Sequence, residues 1–279
     1  MVNRLWRRQL ALLVFGFSAF VTGAHSVEVE LLAEPVQGSL VRGIASPGAV
    51  VTFHGQTLEV GPAGEFVFGI GRDATGSREL IVTDANGKEA RRTLDIVERE
   101  FNIQRIEGIA KRIMNPKPED IERAKKDNRM VAAARAPVTE RLDFMQPFIW
   151  PVEGPISGVY GSQRFYNGEP RRPHFGVDIA VPTGTQVVAP ADGVIVLWVP
   201  DMFYSGGTMI IDHGFGVNST FLHLSGSLVK TGEEVKQGQP VALVGATGRV
   251  TGAHLDWRMN WKSARVDPQL LVPPMPKAN

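Results

Sequence analysis

Short runs of β-branched and aromatic residues, cut apart by Gly, Pro, Asn and Asp, recur over most of this chain and leave little uninterrupted length for helix. The first such region covers residues 27–99. Val27–Leu31, Val50–Phe53, Phe66–Phe68, Leu80–Val82 and Thr93–Val97 read as strands. Between them lie Ser46-Pro47-Gly48, Gly61-Pro62-Ala63-Gly64 and Asp84-Ala85-Asn86-Gly87, each able to take the backbone angles of a tight turn. About seven short strands in some 70 residues predict an immunoglobulin-like β-sandwich. His54, beside Gly55, reads as a surface residue, and with no catalytic constellation the module is expected to act as a spacer or docking unit.

Residues 100–146 change character and predict a partly helical linker. Pro118 suits the first position of a helix, and the pattern runs to Arg135 before Pro137 stops it. Glu119 with Arg123, and Glu122 with Lys126, are i,i+4 pairs of the favourable polarity. Ile121, Ala124 and Met130 are the residues expected to pack. Turn signals return from Phe148, and a second β domain is expected over 147–272, followed by a short tail, 273–279. Its strand candidates are Gly193–Val199, Gly207–Ile211, Pro240–Val244 and His254–Trp261.

At 279 residues and 43% hydrophobic, the chain is large enough for two modest cores. A net charge of +1 gives no basis for nucleic-acid binding. Arg4, Arg7 and Arg8 precede an apolar run from Leu10 to Val21 and then Ala24-His25-Ser26, the layout of a signal peptide, 1–26, with cleavage before Val27. The run is short against the roughly 20 apolar residues of a membrane span, so no transmembrane segment is expected after cleavage. Cysteine is absent, which removes both a lipoprotein anchor and disulfide staples. The expected location is therefore periplasmic or cell-wall associated.

Three segments of the second β domain carry the chemistry: His174-Phe175-Gly176-Val177-Asp178, Phe221-Leu222-His223-Leu224-Ser225, and Thr251-Gly252-Ala253-His254-Leu255-Asp256. In extended chain, i and i+4 share a face, as do i and i+2, so His174 can join Asp178 and His254 can join Asp256. Nitrogen and oxygen donors from separate segments, with spare histidines beside them, describe a catalytic zinc site. Along the last segment His254, Asp256, Arg258 and Asn260 fall on one face. Leu255, Trp257, Met259 and Trp261 fall on the other, where core packing explains them better than substrate stacking.

The words around these residues narrow the class. Gly176–Thr185, Val188–Ile195, Ile210-Ile211-Asp212-His213-Gly214, Leu222-His223-Leu224-Ser225 and Gly245-Ala246-Thr247-Gly248 through His254 closely resemble the lysostaphin/LytM-type zinc metallopeptidases of bacterial cell walls, over residues 148–272 and in the same order. Val235–Val241 also resembles the hammerhead turn of lipoyl and biotinyl carriers, but no carrier lysine with the right flanks is present. The resemblance implies a mainly β protein whose C-terminal LytM-type domain is a duplicated hybrid motif of that related architecture. It implies one zinc ion, with His174 and Asp178 as the first two ligands, His223 and His254 as the catalytic histidines, and His213 as structural.

At the third ligand position the family pattern expects the second His of a His-x-His pair, and this chain has Asp256. Three accounts stand open, the first preferred, with Asp256 as third ligand, because carboxylate is an ordinary zinc ligand. Asp256 binds the metal, its carboxylate reaching as far as a histidine Nδ1; or it pairs with Arg258 and leaves two ligands; or metal binding has been lost and the domain only binds partners. Arg164, Tyr166, Asn167, Arg171 and Arg172, just before His174, are candidates with Arg258 for holding substrate carboxylates; a solvated loop is the equal alternative. The resemblance implies a secreted endopeptidase acting on peptidoglycan stem peptides. The competing reading is an inactive LytM-type domain that binds the wall or activates a cell-wall amidase.

Overall fold

The computed structural model describes residues 27–107 and 117–276. The expected signal peptide lies outside these residues. Among the described residues no helix is long and apolar enough to cross a membrane.

The N-terminal module is a pair of antiparallel sheets. Val29–Leu31, Leu40–Ala45 and Glu65–Gly69 form one; Gln56–Thr57, Val50–Phe53, Ser77–Thr83 and Glu89–Asp95 form the other. Seven short strands in two layers agree with the β-sandwich expected from the turn spacing. Its core is aromatic, with Phe53 stacked on Phe68 at 4.0 Å and Phe66 buried beside them.

The linker holds the expected helix, Pro118–Arg135, with Pro118 opening it and Glu119 and Asp120 in the first turn, where the helix dipole favours acid. Its side-chain pairing differs from the sequence reading. Arg123 bonds Asp201 at 2.6 Å rather than Glu119, and Glu122 pairs with Lys125 at 2.7 Å rather than Lys126. The helix lies against the end of the Gly193–Met202 strand, where Asp127 also accepts from the Phe203 backbone, so tertiary partners displace the local ones. Ile121, expected to pack, is exposed, and no residue of the helix is fully buried. The linker also contains a strand that local pattern did not disclose, Ile103–Ile106. It runs parallel to Gln163–Tyr166, which turns back through Asn167 and Gly168, both at positive φ, into Glu169–Pro170.

A ten-stranded sheet dominates the C-terminal half. Its main path runs Glu234–Val235, Gly193–Met202, Gly206–Asp212, Val217–Ser227, Leu255–Trp261, Val177–Ile179, Ile156–Gly158. Gln186–Val188, Pro240–Val244 and Ala264–Val266 pair alongside. The Leu255–Trp261 strand is central, and its parity is as read from sequence. Leu255, Trp257, Met259 and Trp261 are buried in the core, with Trp150 edge-on to Trp257 at 5.9 Å. The two β bodies share a seam. The buried Asp267 carboxylate pairs with Arg99 at 2.9 Å, while its backbone N–H donates to the Gly38 carbonyl.

Trp257 fills the middle of the larger core and packs against another large ring, so Trp257→Ala is expected to destabilise the fold by about 3–5 kcal/mol. Arg123→Ala removes a solvent-exposed pair and is expected to leave the denaturant midpoint unchanged. Urea unfolding followed by tryptophan fluorescence and circular dichroism checks both.

Candidate metal centre

Sheet register brings the first donors together. Asp178 and Asp256 sit directly opposite one another on neighbouring strands, and Leu222 faces Asp256 from the other side. His174 is fixed just ahead of its strand by two backbone bonds, donating to the Ser162 carbonyl and accepting from Gly161 N–H. Its Nε2 lies 3.1 Å from Asp178 Oδ1, yet this buried nitrogen has no hydrogen bond. A buried polar atom without a hydrogen-bonding partner is uncommon enough to need a cause. One donor atom each from His174, Asp178 and Asp256 falls within 4.8 Å of the others. Ligands about 2.0–2.2 Å from one zinc ion stand roughly 3.3–3.5 Å apart in a tetrahedron, so the His174–Asp178 separation is close to that of a ligand pair.

Two glycines make the room. A Cβ on Gly158 would collide with the Asp178 carboxylate, and one on Gly176 would collide with Asp256 Oδ1. The carboxylates therefore occupy space that any larger residue would take. The donor set, the His174 nitrogen without a bond and this cradle fit a divalent cation.

Asp256 has a second partner. Arg258 Nε donates to its Oδ1 at 3.0 Å, and Arg258 Nη2 to its Oδ2 at 2.6 Å. Burial pushes the Asp256 carboxyl up, but the Arg258 charge and hydrogen bonds, helped by His174 and His223, outweigh that and hold it well below the usual carboxylate range. Asp256 therefore lies within reach of the cluster and is bonded to Arg258 at once. A carboxylate has about four lone-pair sites, so the two partners are compatible.

His223 and His254 stand beside the cluster with ring centroids 4.9 Å apart. Each Nδ1 faces a backbone carbonyl, Thr247 at 2.9 Å for His223 and Gly252 at 2.9 Å for His254. A carbonyl only accepts, so each Nδ1 carries hydrogen and, in the neutral ring, each Nε2 keeps its lone pair. His254 Nε2 is 3.9 Å from Asp178 Oδ1. Burial lowers the His223 pKa against the opposing pull of Asp256. His223 also has φ of +64° within its strand, a left-handed conformation rare for a non-glycine residue, held by its N–H bond to the Ser205 carbonyl.

The remaining sequence candidates are distributed differently. Arg258 joins the cluster. Arg172 contributes to the field around Arg265. Arg171 bonds Glu169 at 2.9 Å along the returning arm of its hairpin, and Asn167 is at the exposed turn of the same hairpin. Arg164 and Tyr166 lie on its first strand. His213 is buried and bonded on both ring nitrogens, to the Asp192 carbonyl at 2.7 Å and Ser219 Oγ at 2.8 Å, which fits a structural role. Two arginines near Arg258 were not anticipated. Arg135, at the end of the linker helix, bonds Thr220 Oγ1 at 2.6 Å, and Arg265 bonds Asn260 Oδ1 at 2.8 Å. Nothing local distinguishes them from solvated arginines.

Residues 172–268 match the model of peptidase family M23. A solved Pseudomonas aeruginosa structure described as a peptidase M23 is 31% identical to this chain. That match covers 86% of this chain and 96% of the other, with a TM-score of 0.66. The chain belongs to peptidase family M23. Among curated relatives, the peptidoglycan DD-endopeptidase ShyA of Vibrio cholerae is 42% identical over 102 residues, covering 33% of this chain and 24% of ShyA. The murein hydrolase activator EnvC of Escherichia coli is 35% identical over 122 residues, covering 43% of this chain and 27% of EnvC. The chain thus spans only about a quarter of the length of these curated relatives.

Because the carboxylates fill the space over two glycines, Gly176→Ala is expected to push Asp256 out of the cluster. Zinc affinity should fall at least tenfold, as for loss of groups that orient a ligand. Titration of the purified protein against a competing chromophoric chelator measures it, and unchanged affinity would refute the cradle.

Proposed function

We propose that this protein is an exported zinc endopeptidase that hydrolyses peptide cross-links of peptidoglycan. The observation that carries this reading is the His174–Asp178–Asp256 cluster with two neutral-capable histidines beside it, in a family whose relatives include a peptidoglycan endopeptidase. His174, Asp178 and Asp256 would hold the ion. When bound, zinc would supply Lewis acidity, drawing charge from the scissile carbonyl and making water a stronger acid.

The protein's own groups divide the rest of the work. His223 is kept neutral by burial, so its Nε2 lone pair is available to take a proton from water. His254, less buried and with Nε2 toward Asp178, is placed, in its doubly protonated form with Nδ1–H on the Gly252 carbonyl, to donate from Nε2 a hydrogen bond to the developing oxyanion or a proton to the departing amine. Arg258 orients Asp256 by two-pronged hydrogen bonding, the geometry for which a guanidinium is suited. It also corrects the charge. A zinc ion with two carboxylates and a neutral imidazole is formally neutral, and Arg258 restores the single positive charge of a site with two histidines.

A second reading draws on the same pair. If Arg258 keeps Asp256 from the ion, the domain binds rather than cuts, and its similarity to EnvC, a murein hydrolase activator, favours a role in activating such a hydrolase, for which a cell-wall amidase is the candidate. Metal analysis separates the two readings. One zinc per chain is expected in the wild type, lost in His174→Ala and Asp178→Ala, while Asp256→His should retain it. Full occupancy in both alanine variants would show the ligands to be wrong.

The catalytic step has its own test. His223→Ala and His254→Ala are expected to keep zinc and lose about 10²–10⁴ in cross-link cleavage each, since positioned acid-base groups have effects of that size. Chromatography of products from purified peptidoglycan measures the loss. Near-normal cleavage by both variants would assign the chemistry to other residues, and absence of cleavage by wild-type, zinc-loaded protein would favour the amidase activator.

A further inference from the structure

Positive charge accumulates next to the metal cluster in a way that ligand binding does not use. On the face of Leu255–Trp261 that carries Asp256, the next two residues are Arg258 and Asn260. Thr220 lies opposite Arg258 on one neighbouring strand, and Arg265 lies opposite Asn260 on the other. The linker helix places Arg135 on the same face, through its bond to Thr220. Guanidinium groups from a helix, a strand and a hairpin therefore gather on one side of one strand.

Only one of the three has a counterion. Arg258 is bonded to Asp256, but among the described residues no carboxylate pairs with Arg135 or Arg265. Their bonds to Thr220 and Asn260 fix position without neutralising charge. Arg135 Nε is buried and has no hydrogen-bond partner. Burial, then repulsion from Arg265 and Arg258, brings Arg135 down to about 9, and burial with repulsion from Arg258, against the pull of Asp256, brings Arg265 down to about 10. Arg172 adds to the same field. Half-buried guanidinium groups without a counterion are costly in the free protein, and a planar, two-oxygen anion is the partner their geometry fits.

We propose that Arg135 and Arg265, with Arg258 behind them, form a subsite for a free carboxylate of the peptide lying against the His174–Asp178–Asp256 cluster. Identifying the carboxylate as one carried by a peptidoglycan stem peptide rests on the endopeptidase reading; the anion site itself rests on the arginines. The linker helix thereby contributes to peptide recognition, since Arg135 is its last residue.

The test is calorimetric titration of the full chain with a stem tetrapeptide and with the same peptide after amidation of all its carboxyl groups. The acid is expected to bind tighter by roughly tenfold or more, the margin of a charge-assisted hydrogen-bonded pair, and the margin should shrink as salt is raised. Arg265→Gln and Arg135→Gln should each reduce the margin several-fold, with Arg265→Lys retaining part of it. Equal affinity for acid and amide in the wild type would overturn the proposal without any variant having to fold. Displacement of the peptide by equimolar acetate would also overturn it, since the affinity would then belong to any small anion. An acid preference in a protein that cleaves no peptidoglycan would support the subsite while refuting the endopeptidase; cleavage without that preference would do the reverse.

Discussion

Two carboxylates face each other across adjacent strands, and the surroundings are arranged around that repulsion. Asp178 and Asp256 are paired in register, nearly shielded from water, and set in space that glycines leave open. Like charges directly opposite in a sheet oppose its formation, so the arrangement requires positive charge nearby. Arg258 supplies one unit and holds Asp256 ionised. The nitrogen of His174 points at the other carboxylate without bonding to it. A cation held between His174 and the two carboxylates would resolve what remains.

The same strand supplies both faces of the argument. Leu255, Trp257, Met259 and Trp261 secure the sheet by burial, and that burial fixes where Asp256 and Arg258 stand on the opposite face. A one-residue slip would exchange the two sets, placing tryptophans at the site and charges in the core. Precision in the site is thus inherited from packing. His223 shows the converse: its left-handed backbone is locally unfavourable and is maintained by the strands around it.

Much of this is legible in the residues themselves. Alternation along 254–261 assigns its two faces, and Pro118 and Pro137 bracket the helix. His174 and Asp178 do meet, but through a bend ahead of the Val177–Ile179 strand and not through the strand parity read from their spacing, which in extended chain would leave them about 13 Å apart. What is not legible depends on partners distant in sequence. Ile103–Ile106 becomes a strand only because Gln163–Tyr166 runs beside it. Arg123 leaves its helical neighbour because Asp201 is within reach. Arg135 and Arg265 gather near Arg258 through register and helix docking, which no local pattern encodes. Asp256 and Arg258 could be read as neighbours on one face, but that the carboxylate is within reach of both the cluster and the arginine required coordinates.

The parallel pairing of Ile103–Ile106 with Gln163–Tyr166 has a mechanical meaning. One strand is continuous with the N-terminal sandwich, and the other leads within a few residues to His174. The hairpin through Asn167 and Gly168 returns the chain to the start of Gln163–Tyr166, where His174 bonds Gly161 and Ser162 and where Gln163 bonds Asn102. The exit from the sandwich and the first histidine of the cluster are therefore tied to one end of one strand pair, so a shift of either is registered by the same few hydrogen bonds.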